Sequence, residues 1–268
     1  MRRFMKILVC NDDGIFADGI LQLASSLSCL GEVVVVAPDS ERSATGHAIT
    51  IHHPIRVKKV ELPGLDVKAF SVSGTPADCV KIGIDVLTDG KVDLIFSGIN
   101  RGPNLGTDVF YSGTVSAAIE GCILGYQSAA ISNYNYDSID FSLAGDVALD
   151  IAQKMLKHLM PPGTLLNINI PDASKEEISG IKVTRLGVRR YVANYVERED
   201  PRGVPYYWLA GEAVDDHEQD TDIAAVSQKY ISVTPIHYDL TKYALMDHVD
   251  GWFNQRHQSC GKGLSCDC

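Results

Sequence analysis

The segment MKILVCN (5–11) is a continuous apolar run that stops abruptly on Asn11-Asp12-Asp13-Gly14. A short run without alternation suits a strand buried on both faces, as in a parallel sheet. Next comes GILQLASSLSCL (19–30), whose Leu23, Leu27 and Leu30 fall on one side of a helix. EVVVVAP (32–38) follows as a second buried strand, closed by Pro38. Strand, helix and strand in this order form a βαβ unit, with parallel strands and a right-handed crossover. Few folds accept that opening.

The grammar repeats. TPADCVKIGIDVL (75–87) reads as a helix with Thr75 as its cap, Pro76 in its first turn and Asp78 at its positive end. VDLIFSGIN (92–100), QSAAIS (127–132) and LLNINIP (165–171) read as further buried strands. Between them lie SGTVSAAIEGCILG (112–125), a helix of small residues suited to close packing, and FSLAGDVALDIAQKMLKHLM (141–160). The latter carries an apolar stripe of Leu143, Val147, Ile151, Met155 and Leu159 and stops at Pro161-Pro162-Gly163. Ser174 and Glu177 form a capping-box pattern on a short helix. From about residue 181 the pattern turns β-like, in IKVTRLG, YYWLAG and YISVTPI; Pro235 in the last run predicts an edge strand. The fold class is α/β: a Rossmann-like, doubly wound, mainly parallel sheet with a β-rich C-terminal oligomerisation extension. Residues 1–180 form the Rossmann-like α/β core. Residues 181–250 form the extension, part of the same domain, and 251–268 a disordered Cys-containing tail. There is no internal repeat and no low-complexity linker.

With 268 residues, 45% of them hydrophobic, the chain can bury a sizeable core. Its net charge of −10 disfavours nucleic-acid polymers and membrane surfaces as partners. No apolar run is long enough to cross a bilayer. The start MRRFMKILVC imitates a secretory signal, but its apolar core ends too early and no cleavage site follows, so the expected location is the cytoplasm. Cys10, Cys29, Cys79 and Cys122 lie in apolar segments and read as reduced core thiols.

In open parallel sheets, ligands bind beyond the carboxyl ends of the strands. The first strand ends in Asn11, Asp12 and Asp13; the second in Asp39, Ser40, Arg42 and Ser43; the third in Ser97, Asn100 and Asn104. Topology places these three polar clusters along one sheet edge. Asp12 and Asp13 repel each other unless a proton or cation intervenes. The donors on offer are oxygens, which suit Mg²⁺ or Mn²⁺ better than Zn²⁺ or Cu. Beside them YSGTV (111–115) opens a helix, whose free N–H groups and dipole suit phosphate. Ser112 and Thr114 add hydroxyls, Gly113 admits an anion close to the backbone, and the flexible loop from Gly102 to Gly106 can fold over it. Each feature alone has a plain explanation: Asp-Asp-Gly as a turn, Ser-Gly-Thr as a helix cap. Their convergence suggests phosphate-ester hydrolysis by metal-activated water.

The segments KILVCNDDGIFADGI, VVVVAPDSERSATGHAIT, SGTPADCVKIGI, DLIFSGINRGPNLGTDVFYSGTVSAAIEG and YISVTPIHYDLT together resemble the SurE family, the survival-protein-E nucleotidases. The likeness runs from about residue 5 to residue 243. It implies a cytoplasmic, metal-dependent phosphatase acting on nucleoside 5′- and 3′-monophosphates and on short-chain polyphosphate. It also implies one divalent cation per subunit (Mg, Mn or Co) and a homodimer or homotetramer with exchanged C-terminal segments. Matched motif by motif, the implied metal ligands are Asp12, Asp13, Ser43 and Asn100, a choice of Ser43 over Ser40 that comes from the resemblance alone. Asp12 and Asp13 are the catalytic residues, with Asp12 a candidate general base. Asn104, Ser112, Gly113 and Thr114 match the phosphate-contact positions.

Other signals are weaker. His257, Cys260, Cys266 and Cys268 offer four zinc-type ligands outside the family pattern, against the plainer reading of a frayed terminus. DDHEQDTD (215–222) reads as a solvated acidic loop; His47, His52 and His53 read as exposed loop histidines, with lining of the substrate entrance as the alternative. Tyr195, Tyr206, Tyr207 and Trp208 read as core or interface residues. The rival functions are a zinc deacetylase, which needs histidines that the first strand end lacks, and a non-catalytic nucleotide-binding stress protein, which only turnover distinguishes. Neither a dinucleotide glycine fingerprint nor a Walker A loop is present.

Overall fold

The computed structural model describes residues 5–136, 140–192, 194–215 and 218–254. In chain order the regular elements begin β1 (Lys6–Cys10), α1 (Asp18–Leu27), β2 (Glu32–Pro38), β3 (Val57–Val60), β4 (Lys68–Val72) and α2 (Pro76–Ile82). They continue with β5 (Leu94–Arg101), α3 (Gly113–Ile123), β6 (Gln127–Asn133), α4 (Ser142–Lys157) and β7 (Thr164–Ile170). The later part holds β8 (Gly180–Val183), β9 (Arg189–Tyr191), β10 (Asn194–Glu199), β11 (Pro205–Ala210), β12 (Ala213–Asp215), α5 (Asp222–Ser227), β13 (Tyr230–His237) and α6 (Met246–Asn254). Residues up to His237 form one compact unit; Tyr238 onward belongs to a second.

Among the described residues, nine strands join one sheet in the order β3-β4-β2-β1-β5-β6-β7-β13-β8. The run from β4 to β7 is parallel throughout. Two strands elude the apolar-run reading: β4 is short, and β3 is an exposed antiparallel edge rich in lysine. α1 packs on α4 over one face, and α2 on α3 over the other. Ile7, Val9, Val35 and Phe96 bury into the first layer, and Leu8, Val34, Val36 and Ile95 into the second. Burial on both faces is why these strands read as unbroken apolar runs.

Several expectations shift. The helix expected over 75–87 is α-helical only to Ile82 and closes with a π turn at Gly83–Leu87. α4 ends at Lys157, so Leu159 drops out of the stripe and is exposed, while Val147, Ile151 and Met155 stay buried. The strand holding Pro235 is not an edge: β13 lies between β7 and β8. Pairing with β8 ends at Val233, however, so Pro235 lies where that side of β13 is open. Within the β-rich region, β8 and β13 extend the main sheet, while β10 with β11 and β9 with β12 form two further two-stranded sheets. Cys10, Cys79 and Cys122 are buried thiols, but Cys29 is exposed.

The acidic run is not simply solvated. Asp222 is fully buried and accepts from the backbone N–H groups of Gly106 and Gly187, each at 2.8 Å. Asp215 makes a two-point ion pair with Arg189, at 2.6 and 2.9 Å, and Arg189 also reaches Asp108 at 3.2 Å. Asp216 and His217 of that run lie outside the described residues, as do His257, Cys260, Cys266 and Cys268. Tyr195, Tyr207 and Trp208 are exposed on the β10–β11 hairpin, so they are not core residues of this chain.

Candidate metal and phosphate site

β1 leads to β2 on one side, while β5 begins the succession of strands on the other. The crevice beyond their carboxyl ends is therefore the topological switch point of the sheet. Cys10 pairs with Ser97 in register, so the residues following each strand leave the sheet at one level. On the β1 side the turn is pinned by Asn11, whose Nδ2 donates to Gly14 O at 2.9 Å and whose Oδ1 accepts from Gly14 N at 3.2 Å. In sequence Asn11 is only part of a polar cluster; its role as the clasp of this turn emerges from the fold. The clasp holds Asp12 and Asp13 between a buried strand and a glycine with φ of 105°.

Asp12 is buried and accepts a hydrogen bond from the Thr114 hydroxyl. Burial pushes its carboxyl pKa up, although hydrogen bonds from Thr114 oppose the rise. Asp13 is half-buried and accepts from the backbone N–H of Arg101 at 3.3 Å. Burial first, and the Asp12 charge second, push its pKa up to about 6. Two adjacent carboxylates are thus held where ionisation is costly, and a cation between them would remove that cost.

The other expected ligands come from the neighbouring strand ends. Arg42 donates its backbone N–H to Asp12 O at 2.7 Å, bringing the Ser43 loop against the β1 turn. Ser43 Oγ donates to Glu41 at 2.7 Å, which leaves its lone pairs for a cation. Asn100 Nδ2 donates to Gly102 O at 2.8 Å, so Oδ1 is the end available for ligation. Its neighbour Arg101 is the residue bonded to Asp13. All four expected ligands therefore belong to one patch, built from β1, the loop after β2, and β5. Among the described residues, no three His, Cys, Asp or Glu side chains group as a metal site. The donor set is two carboxylates with a hydroxyl and an amide oxygen, a hard set that fits Mg²⁺ or Mn²⁺.

The N-terminus of α3 meets this patch directly. Ser112 caps the helix, its Oγ accepting from Val115 N at 3.0 Å. A Cβ on Gly113 would lie 2.7 Å from Asp12 Cβ and 2.8 Å from its Oδ2. Glycine is needed there because the anion already against the backbone is Asp12 itself. The Thr114 hydroxyl is spent on the same carboxylate. The capping and anion-cradle readings of Ser-Gly-Thr are therefore compatible, with the cradle shared between Asp12 and any phosphate.

Asn104 is placed differently. It is buried, its Nδ2 donates to Ser132 Oγ at 2.8 Å, and its N–H donates to Asn169 at 2.8 Å. Its carbonyl accepts from Asn167 and Asn169. The Gly102–Gly106 loop is thus tied to β6 and β7 and, through Gly106, to Asp222, rather than free to fold over. His47 is turned inward, its Nε2 2.7 Å from Glu120, which Lys81 also reaches at 3.0 Å; His52 and His53 are exposed. Asp78 accepts from the N–H groups of Thr50 and Thr75, so α2 and α3 both grip the loop that carries Ser43.

The survival protein SurE family model matches residues 7–193 of this chain. The 5′-nucleotidase SurE of Carboxydothermus hydrogenoformans is 50% identical over 253 residues, covering 92% of this chain and 96% of that one. The 5′-nucleotidase SurE of Moorella thermoacetica is 52% identical over 251 residues, covering 93% and 96%. The crystal structure of the SurE protein from Aquifex aeolicus superposes with a TM-score of 0.82 at 45% identity, over 93% of this chain and all of that one. Motif order, near-full-length identity and a shared sheet agree, and the chain belongs to the SurE family.

Proposed function

We propose that this protein is a divalent-metal-dependent phosphatase that hydrolyses nucleoside 5′- and 3′-monophosphates to nucleoside and phosphate, with short-chain polyphosphate as a further substrate. The observation that carries it is the pair of adjacent carboxylates at the switch point, Asp12 buried and Asp13 half-buried, with Asp12 packed against the N-terminus of α3. Relatives at about half identity that bear the name 5′-nucleotidase support the same reading. Asp12, Asp13, Ser43 and Asn100 would hold one cation, Mg²⁺, Mn²⁺ or Co²⁺. When bound, it would acidify water and take up charge on a phosphoryl oxygen. Thr114 fixes the Asp12 carboxylate, and the first turn of α3 offers backbone N–H groups and its dipole to the phosphate. Asp13 lines the cleft beside the patch. It is the carboxylate better placed to take the proton of the attacking water, a role for which Asp12 was the candidate from sequence. Ser112, Gly113 and Thr114 remain the phosphate-contact segment; Asn104 serves to anchor its loop.

Subunit exchange to a dimer or tetramer belongs to the same reading, supported by the exposed aromatic rings of the β10–β11 hairpin. Cytoplasmic residence belongs to it as well; among the described residues, no helix is long and apolar enough to cross a membrane. The test is phosphate release from a panel of nucleotides with Mg²⁺, Mn²⁺ or Co²⁺ and an EDTA control. Asp12→Asn with saturating Mn²⁺ should lose turnover. Near-normal turnover refutes the assignment, and no release from any monophosphate by the wild type favours a nucleotide-binding protein without catalysis.

A further inference from the structure

A cleft of about 470 Å³ opens beside the carboxylate patch, with Asp13 and Ser43 among its lining residues. That is the size of sites that enclose whole small molecules, and a phosphate group alone would leave most of it empty. Away from the carboxylates its walls are aromatic: Phe16, Tyr136 and Phe141. Phe141 is buried, but Phe16 and Tyr136 are 57% and 65% exposed. Large apolar side chains held in water beside a polar site call for a partner with a flat face.

Both rings are held by the fold. Ile15, the residue before Phe16, is buried and donates its N–H to Pro38 O at 2.9 Å, and Ala17 N donates to Gly14 O at 3.1 Å. The turn therefore sends Ile15 into the core and Phe16 out into the cleft. The Tyr136 ring lies against Gly102, where a Cβ would come within 2.2 Å of it. Stacking on a preplaced ring costs little conformational entropy.

On the reading that the adjacent patch cleaves nucleotides, we infer that Phe16 and Tyr136 form the nucleobase subsite, stacking the base while its phosphate lies at the carboxylate patch, towards the first turn of α3. The polar groups along this wall, Asp18, Glu41 and Arg101, are exposed or ion-paired at the surface; Arg101 lies 3.6 Å from Asp18. Such groups read base edges poorly, whereas every base has a face to stack, so this subsite accepts purines and pyrimidines alike.

The experiment is inhibition of 5′-AMP hydrolysis by adenosine and, separately, by inorganic phosphate, in wild type, Phe16→Ala and Tyr136→Ala. Each substitution should raise the inhibition constant of adenosine and the KM for 5′-AMP by ~10-fold or more, the effect of losing one aromatic stacking partner. The inhibition constant of phosphate should stay at its wild-type value. Both side chains are exposed, so unchanged melting temperatures serve as the folding control. Equal weakening of both inhibitors, or no change in adenosine inhibition in either variant, overturns the subsite. A wild type that releases no phosphate sinks the phosphatase reading instead. Calorimetric titration of adenosine into wild type and variants then still decides whether the aromatic wall binds a base.

Discussion

Asp13→Asn should make the metal-free protein more stable while it destroys the metal response. The Asp13 carboxyl is pushed from 3.8 up to about 6 by burial and by Asp12. Each pKa unit is worth ~1.4 kcal/mol, so keeping Asp13 ionised in the folded protein costs about 3 kcal/mol. Solvent contact at the cleft screens part of that, leaving about 2 kcal/mol. Because the folded-state pKa is the higher one, the native state is favoured by protonation. The cost is small below pH 4, grows as pH rises from 4 to 6, and is complete above 6. Asparagine carries no charge at any of these values, and its Oδ1 can still accept from Arg101 N. In EDTA at pH 7.5 the variant should melt ~4–5 °C above wild type, at about 2 °C per kcal/mol for a chain of this size. At pH 4 the gain should shrink to under about 1 kcal/mol. Added Mn²⁺ should reverse the order. At a hundredfold excess over its dissociation constant it contributes about 2.7 kcal/mol to a protein that binds it, and the variant has lost a ligand. Thermal melting with and without Mn²⁺ at the two pH values reads all four states. A variant no more stable than wild type in EDTA at pH 7.5, or one that gains as much from Mn²⁺, refutes the account.

Other perturbations probe the supports of the patch. Gly113→Ala puts a methyl group 2.7 Å from Asp12 Cβ, so it should displace the carboxylate, cost about 1–3 kcal/mol and lower turnover; melting and phosphate release check both. Glu120→Gln removes the charge that holds His47 and Lys81 and should cost about 1–2 kcal/mol at pH 7. His47 first, with Lys81, pulls the Glu120 pKa below its ordinary 4.5, so the wild-type advantage is present above that value and fades as pH falls through the lowered one. The same variant loosens the Ser43 loop and should raise the Mn²⁺ concentration needed for half-maximal turnover. Arg189→Met strands Asp108 and Asp215 beside a largely buried position and should cost about 3 kcal/mol by denaturant unfolding, with little salt dependence.

Much of the parallel core is legible in the chain. Strands buried on both faces are dominated by apolar residues, so β1, β2, β5, β6 and β7 announce themselves as runs. Helices with one buried stripe announce themselves by spacing. The edges are quiet for the converse reason. β3 has one strand neighbour and exposed side chains, and α5 is only six residues long, starting at the buried Asp222 that ends an acidic run. Nothing in DDHEQDTD distinguishes Asp222, which satisfies the N–H groups of Gly106 and Gly187, from Asp215 and Asp220, which pair with arginines. Leu159 fits its helical stripe by spacing, but the helix has already ended.

The candidate site divides in the same way. Parallel topology alone requires the ends of β1, β2 and β5 to converge, so the sequence by itself brought Asp12, Asp13, the Ser43 loop and Asn100 to one edge. Only the tertiary structure decided what each group does there, because hydrogen bonds and desolvation depend on neighbours remote in the chain. Thr114 is 102 positions from Asp12 yet orients its carboxylate. Asn104, read as a phosphate contact, is claimed by Ser132 and two asparagines on the next strands. His47, read as an exposed loop residue, is claimed by Glu120. The order of residues determined which strand ends meet; the packing of helices and loops onto them determined which polar atoms are already spent within the fold and which are not.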